Sequence, residues 1–282
     1  MAVQVKEFFD PSTSTLTYLV WQGSDAVLID PVLDYEPLAS KIATTSAEKI
    51  ETVITSLGLN LHYILETHIH ADHFSAACYF KEKYPQAQLA ISSRVKEVQQ
   101  YFAKVYALGH DFCSDGSQFD RLVQDGDRLI AGSLLVEILA TPGHTPACVA
   151  YVVAGTEVFT GDCLFMPDSG TGRCDFPGGS AVELYQSVRR LYALGDEVRA
   201  YVGHDYQPGG RPLRFVATIG EHKKEQIHIK ETTSQDEYVE FRRERDKTLA
   251  PPKLLLAAMQ VNINAGKVPA YLKIPVVKVA DA

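Results

Sequence analysis

The stretch Thr67-His68-Ile69-His70-Ala71-Asp72-His73 constrains this chain more than any other. It sets four potential metal ligands within positions 68–73. The apolar run Tyr63-Ile64-Leu65 leads into it, and a helical pattern over residues 74–84, stopped by Pro85, leads out. A strand-to-helix corner is therefore predicted here. In an extended stretch, residues two apart point to the same side, so His68 and His70 face one position together. Asp72 and His73, where the chain turns, point elsewhere and serve a second position. Neutral imidazoles with a carboxylate suit zinc, iron or manganese.

Further ligands follow at the ends of apolar strands. Thr141-Pro142-Gly143-His144-Thr145-Pro146 holds one histidine in a fixed, non-repetitive backbone. Gly161-Asp162 closes the hairpin of strands 148–153 and 157–160, and Gly203-His204-Asp205-Tyr206 closes strand 198–202. Strand ends along one edge of a sheet lie close in space, so one metal centre can collect all of these residues. Asp30 also ends a buried apolar strand, and two readings stay open: an acceptor that holds the metal corner, or turn chemistry. Cys163 reads as a buried thiol. His110, His222 and His228 read as lying outside the chemistry.

The remaining pattern is that of an α/β chain. Strands are predicted at 3–9, 16–21, 26–29, 62–65 and 88–91, with helices at 38–57 and 95–106. Short strands with tight turns follow at 119–123, 128–130 and 134–139. Helices are expected at 181–194, 213–229, 237–245 and from 251 to 260. A length of 282 residues fits one large domain or two small ones.

Charge and cysteine usage exclude some classes. A net charge of −8, with no basic stripe to offset it, argues against nucleic acid as a partner. No run approaches the roughly 18–20 apolar residues of a membrane span. The N-terminal stretch lacks the basic, apolar and cleavage regions of a signal peptide. Five cysteines, an odd number without a CxxC pair, fit a reduced cytoplasmic protein.

The set H-x-H-x-D-H (68–73), His144, Asp162 and His204 resembles the metallo-β-lactamase superfamily. The resemblance covers about residues 1–210 and implies an α/β fold, an αββα sandwich, with a helical C-terminal extension at 211–282. Within the superfamily, the stretches THIHADHFSA (67–76), TPGHTPACVAY (141–151), GDCLF (161–165), GTGRCDF (170–176) and GHDY (203–206) are similar to the persulfide dioxygenases, near neighbours of glyoxalase II. The C-terminal KLLLAAMQVNINAGKVP adds to this likeness.

That resemblance implies one Fe(II) per chain, held by His68, His144 and Asp162. Glutathione persulfide and O2 would be the substrates and sulfite the product. Two histidines and a carboxylate leave positions open for oxygen and sulfur. His70, Asp72, His73 and His204 would then support the iron site, with Asp72, His73 and His204 closest to the chemistry. Arg173 would meet a glutathione carboxylate, with Arg211, Arg214 and Tyr206 as further contacts. Related enzymes imply a homodimer. The alternative is a dinuclear Zn(II) hydrolase of a glutathione thioester or a lactone, in which all seven residues ligate. The human-type enzymes carry a cysteine where Thr171 stands, so no cysteine-dependent regulation carries over.

Overall fold

The computed structural model describes residues 2–276. In chain order the elements begin with strands β1 (Gln4–Asp10), β2 (Thr15–Gln22), β3 (Asp25–Ile29), β4 (Val32–Glu36) and β5 (Lys41–Ala43), then helix α1 (Thr45–Ser56). Strand β6 (Asn60–Leu65), β7 (Phe74–Ser75), helix α2 (Ala77–Lys83), β8 (Gln88–Ser92) and α3 (Val95–Val105) follow. Next come β9 (Arg121–Val123), β10 (Arg128–Ala131), β11 (Leu134–Ala140), β12 (Val149–Val153) and β13 (Glu157–Phe159). Helix α4 (Ala181–Tyr192), β14 (Arg199–Tyr201), β15 (Val216–Thr218), α5 (Ile219–Glu225), α6 (Gln235–Asp246) and α7 (Leu255–Asn262) complete the chain.

Two six-stranded sheets run β1-β2-β3-β6-β8-β9 and β10-β11-β12-β13-β14-β15. Their side chains sort by the two-residue period of a strand. Tyr18, Val20, Val27, Ile29 and Leu65 meet Val149, Tyr151, Val153, Phe159 and Tyr201 between the sheets. The alternating positions Leu19, Ala26, Leu28 and Ile64 face outward onto α1, α2, α3 and α7. On the opposite flank, Ala150, Val152, Val158 and Ala200 pack on α4, α5 and α6. The result is an αββα sandwich with three apolar layers. Strands buried on both faces carry near-continuous apolar runs, which is why β3 (Asp-Ala-Val-Leu-Ile) and β12 (Val-Ala-Tyr-Val-Val) read so plainly.

Three stretches depart from the helices that periodicity predicts. Residues 32–43 form a hairpin, β4 paired with β5, and the helix begins only at Thr45. The turn Pro37-Leu38-Ala39-Ser40 leaves Leu38 97% exposed, whereas a helix would have packed it. Phe74 and Ser75 add a short strand to β4 before α2 starts. Residues 216–218 extend the second sheet, and Thr218 caps a short α5 through Glu221 N–H. In each case an edge strand's backbone pairing outweighs a helical spacing of apolar residues.

Phe80, fully buried on α2, packs edge-on to Tyr79 with ring centroids 5.3 Å apart. Phe80→Ala is expected to cost about 3–5 kcal/mol of unfolding free energy in urea titration.

Candidate metal centre

All seven ligand-type residues lie just beyond strand ends along one edge of the sandwich. The 68–73 stretch follows β6, and it is an irregular loop rather than a direct strand-to-helix corner. His144 follows β11, Asp162 sits in a single 3₁₀ turn after β13, and His204 follows β14. His204 also bridges back to Thr15 at the start of β2, tying the two sheets together at this edge. Gly143 has φ +134, and a Cβ there would stand 2.3 Å from the Leu184 backbone nitrogen. Only glycine lets the His144 loop lie this close against α4.

The second atom of each ring is tied, and the tie aims the first inward. His144 Nδ1 donates to the Arg173 carbonyl at 2.8 Å. His68 Nδ1 lies 3.0 Å from Thr67 Oγ1, which itself donates to Asp30 at 2.8 Å. His70 Nε2 donates to Asp30 Oδ1 at 3.0 Å and stands 3.2 Å from Glu66 Oε2. His204 Nδ1 donates to the Ser14 carbonyl at 3.2 Å. Such hydrogen bonds fix tautomer and ring orientation in metal sites.

What remains is a set of buried polar atoms that make no hydrogen bond: His68 Nε2, His70 Nδ1, His73 Nε2 and Asp162 Oδ1. Unpaired buried polar atoms are costly, and a cation is the group that satisfies all of them. His68, His144 and Asp162 each offer a ligand atom, mutually within 4.8 Å; so do His70, Asp72 and His73. His144 Nε2 lies 3.5 Å from Asp162 Oδ2, and His204 Nε2 lies 3.3 Å from Asp162 Oδ1 and 3.4 Å from Asp72 Oδ2. The donor set fits one or two metal ions. Burial, reinforced by His70 and His144, presses His68 well below the usual imidazole range, which keeps it neutral as a ligand must be. Burial acts against charge at Asp72 too, yet His204 and His73 hold its carboxyl well below the usual range.

A cavity of about 760 Å³ opens onto this centre, with Asp72, His144 and Asp162 in its lining. Tyr206 lines it too, half-exposed and stacked on the His204 ring at 5.6 Å. Arg173 is in the wall, but its guanidinium forks onto Asp175 at 2.5 and 2.7 Å and reaches the Ala250 carbonyl at 2.6 Å. Arg211 is clamped between Asp168 and Asp205, and Arg214 pairs with Glu221 at 2.6 Å. Neither lines the cavity. The arginines expected at a substrate carboxylate are thus engaged within the protein.

One site residue lies in the C-terminal stretch 253–269 that carries the family likeness, yet nothing in its local sequence assigns it to the site. Asn262, buried at the end of α7, donates from Nδ2 to the carbonyls of both His70 and His73 at 2.8 Å. Its Oδ1 accepts the Ser75 N–H at 2.9 Å. An asparagine so far downstream resembles any helix-end asparagine until the loop it holds is known. Asn262→Ala leaves three buried backbone groups unpaired. It is expected to cost about 2 kcal/mol or more and to lower bound metal per chain, measured by thermal denaturation and metal analysis. His68→Ala and Asp162→Ala should each abolish metal binding; full occupancy in either would refute the ligand set.

The sequence pattern of the metallo-β-lactamase superfamily matches residues 11–204, more than half of the chain. A probable metallo-hydrolase of Burkholderia pseudomallei is 44% identical, across 96% of this chain and 98% of its own. The mitochondrial persulfide dioxygenase ETHE1 of Bos taurus is 31% identical, across 94% and 89%. The crystal structure of ETHE1 from Myxococcus xanthus superposes with a TM-score of 0.74 at 32% identity, covering 94% of this chain and all (100%) of that one. With its strand-end ligands, its layered sheets and these relatives, the chain belongs to the metallo-β-lactamase superfamily, among homologues that include persulfide dioxygenases.

Proposed function

We propose that this protein is a persulfide dioxygenase that converts glutathione persulfide, O2 and water to glutathione and sulfite, with release of two protons. The observation that carries this reading is the convergence of His68, His144 and Asp162 beneath a cavity large enough for a tripeptide. Two imidazoles and one carboxylate with open positions form the ligand set of non-haem iron oxygenases. Ferrous iron bound there would supply the redox chemistry that zinc lacks. The likeness to the bovine persulfide dioxygenase over most of the chain supports the same reading.

The protein's own contribution is orientation and the handling of water. The Arg173 carbonyl and Thr67 turn His144 and His68 toward the centre. Asp72 lies between His73 Nδ1 and His204 Nε2, 3.4 Å from each, and also lines the cavity. As a carboxylate it is placed to accept a hydrogen bond from water at the cavity floor while it orients the two imidazoles. Tyr206 and Phe165 form an apolar wall that limits water around the sulfur. The extension from residue 211 belongs to the catalytic unit in this reading, since α7 holds the ligand loop. No helix among the described residues is long and apolar enough to cross a membrane. A homodimer in a reducing, cytoplasmic setting completes the proposal, and five free cysteines suit that setting.

A second reading has its own support. His70, Asp72 and His73 also converge, with His70 Nδ1 and His73 Nε2 unpaired. Two metal ions there would make a hydrolase of a glutathione thioester, in keeping with the name of the Burkholderia relative.

Oxygen uptake on glutathione persulfide separates the two. Protein loaded anaerobically with one equivalent of Fe(II) is expected to consume O2 and form sulfite, and a zinc-loaded sample to do neither. Iron-loaded protein without uptake, together with thioester cleavage by the zinc form, would replace the first reading with the second.

A further inference from the structure

Thr171, Gly172 and Arg173 line the cavity beside the metal centre, in a strip with neither helix nor strand. Backbone groups there must find their partners outside regular structure. Two of them go to the metal centre. Gly172 N–H donates to the Asp162 carbonyl at 3.1 Å, and the Arg173 carbonyl accepts His144 Nδ1–H at 2.8 Å. The approach is close: a Cβ on Gly172 would stand 2.2 Å from the Asp162 carbonyl oxygen and 3.2 Å from His144 Nδ1. Only glycine lets the strip lie against both ligand residues.

Three more go to the C-terminal segment. Thr171 N–H donates to His228 Nδ1 at 3.0 Å, and the Thr171 carbonyl accepts from Arg242 Nη1 at 3.2 Å. Cys174 N–H donates to Asp246 Oδ2 at 2.9 Å. Arg242 and Asp246 stand one turn apart on α6, both buried, and Arg242 Nε donates to Asp246 Oδ1 at 3.0 Å. Tyr238, on the same helix, sets its hydroxyl 2.8 Å from Thr171 Oγ1. Sequence spacing places His228 outside the chemistry; the fold sets it on this strip.

Taking two charges out of water offsets most of what their attraction returns, so the Arg242–Asp246 pair is poor support for stability alone. What it has is direction. The guanidinium holds the backbone just before Arg173, and the carboxylate holds it just after. A carbonyl fixed on both sides cannot swing away from His144 without breaking a buried, charge-assisted hydrogen bond.

We propose that Arg242 and Asp246 are positioning residues for the metal: by gripping the 171–174 strip on either side of Arg173, they hold the carbonyl that sets the tautomer and direction of His144. This role needs His144 as a ligand, whichever reaction follows.

The test uses the full chain loaded with Zn(II), read by proton NMR of the His144 Nδ1–H in water and by chelator competition. Neither readout needs turnover. In wild type the Nδ1–H is expected as a slowly exchanging downfield resonance, assigned by its loss in His144→Ala. Asp246→Ala should move that resonance, speed its exchange with water and weaken zinc binding about tenfold, the lower end of what the partners of metal ligands contribute. Asp246→Asn, which can still accept from Cys174 N–H, should restore most of both. Arg242→Lys keeps a cation beside Asp246 but gives up the fork, and should act as Asp246→Ala does in smaller measure. It carries the test where loss of the carboxylate prevents folding. Leu191→Ala, in the same apolar layer on α4, lowers stability without removing a bond to the strip, and should leave resonance and affinity as in wild type. An unmoved resonance in Asp246→Ala, or in Arg242→Lys where Asp246→Ala does not fold, would overturn the grip. So would an equal change in Leu191→Ala. Wild-type zinc affinity in His144→Ala would overturn it as well, by removing the ligand on which it acts.

Discussion

The carboxylate of Asp30 is the point on which the centre depends. It is buried at the end of β3 in a left-handed backbone conformation, φ 48, that few non-glycine residues adopt. There it accepts Thr67 N–H at 2.7 Å, Thr67 Oγ1–H at 2.8 Å and His70 Nε2–H at 3.0 Å. Burial opposes the charge, but His70 and the Thr67 donors hold the Asp30 carboxyl below the usual carboxylate range. Through those three bonds a single side chain sets the direction of the ligand loop and the orientation of two of its histidines. Strained backbone that persists at a site like this is overdetermined by its surroundings, here the parallel pairing of β3 with β6.

The second dependence is architectural. Two sheets packed face to face bring the ends of β6, β11, β13 and β14 to one edge, so residues almost 140 positions apart converge. No strand has to bend to reach the metal; short loops of glycine, proline and threonine do that work. The C-terminal helices then wall the cavity on one side and fasten the ligand loop from beneath.

Much of this was legible in the sequence. The apolar runs of β3, β6 and β12 announce strands buried on both faces, and ligand-type residues just after apolar strands announce the site. What was hidden has physical reasons. The second half of the hairpin at 32–43 is short, and its Leu38 and Ile42, four apart, lead into the helical spacing of Ile50, Val53, Ile54 and Leu57. The partners of Arg173, Arg211 and Arg214 depend on loop conformation that periodicity does not report. Asn262 acts through a contact across 189 residues, which spacing and periodicity do not report even where its stretch carries a family likeness.

The tether at Asn262 has a consequence for biosynthesis. The carbonyls of His70 and His73 receive their buried donors from a residue synthesised 189 positions after His73. At typical translation rates, roughly 10–40 s separate the two. During that interval the nascent ligand loop lacks its lower support. The order of synthesis therefore delays a rigid ligand loop until α7 has been made, and before then its imidazoles form a loose, exchangeable set.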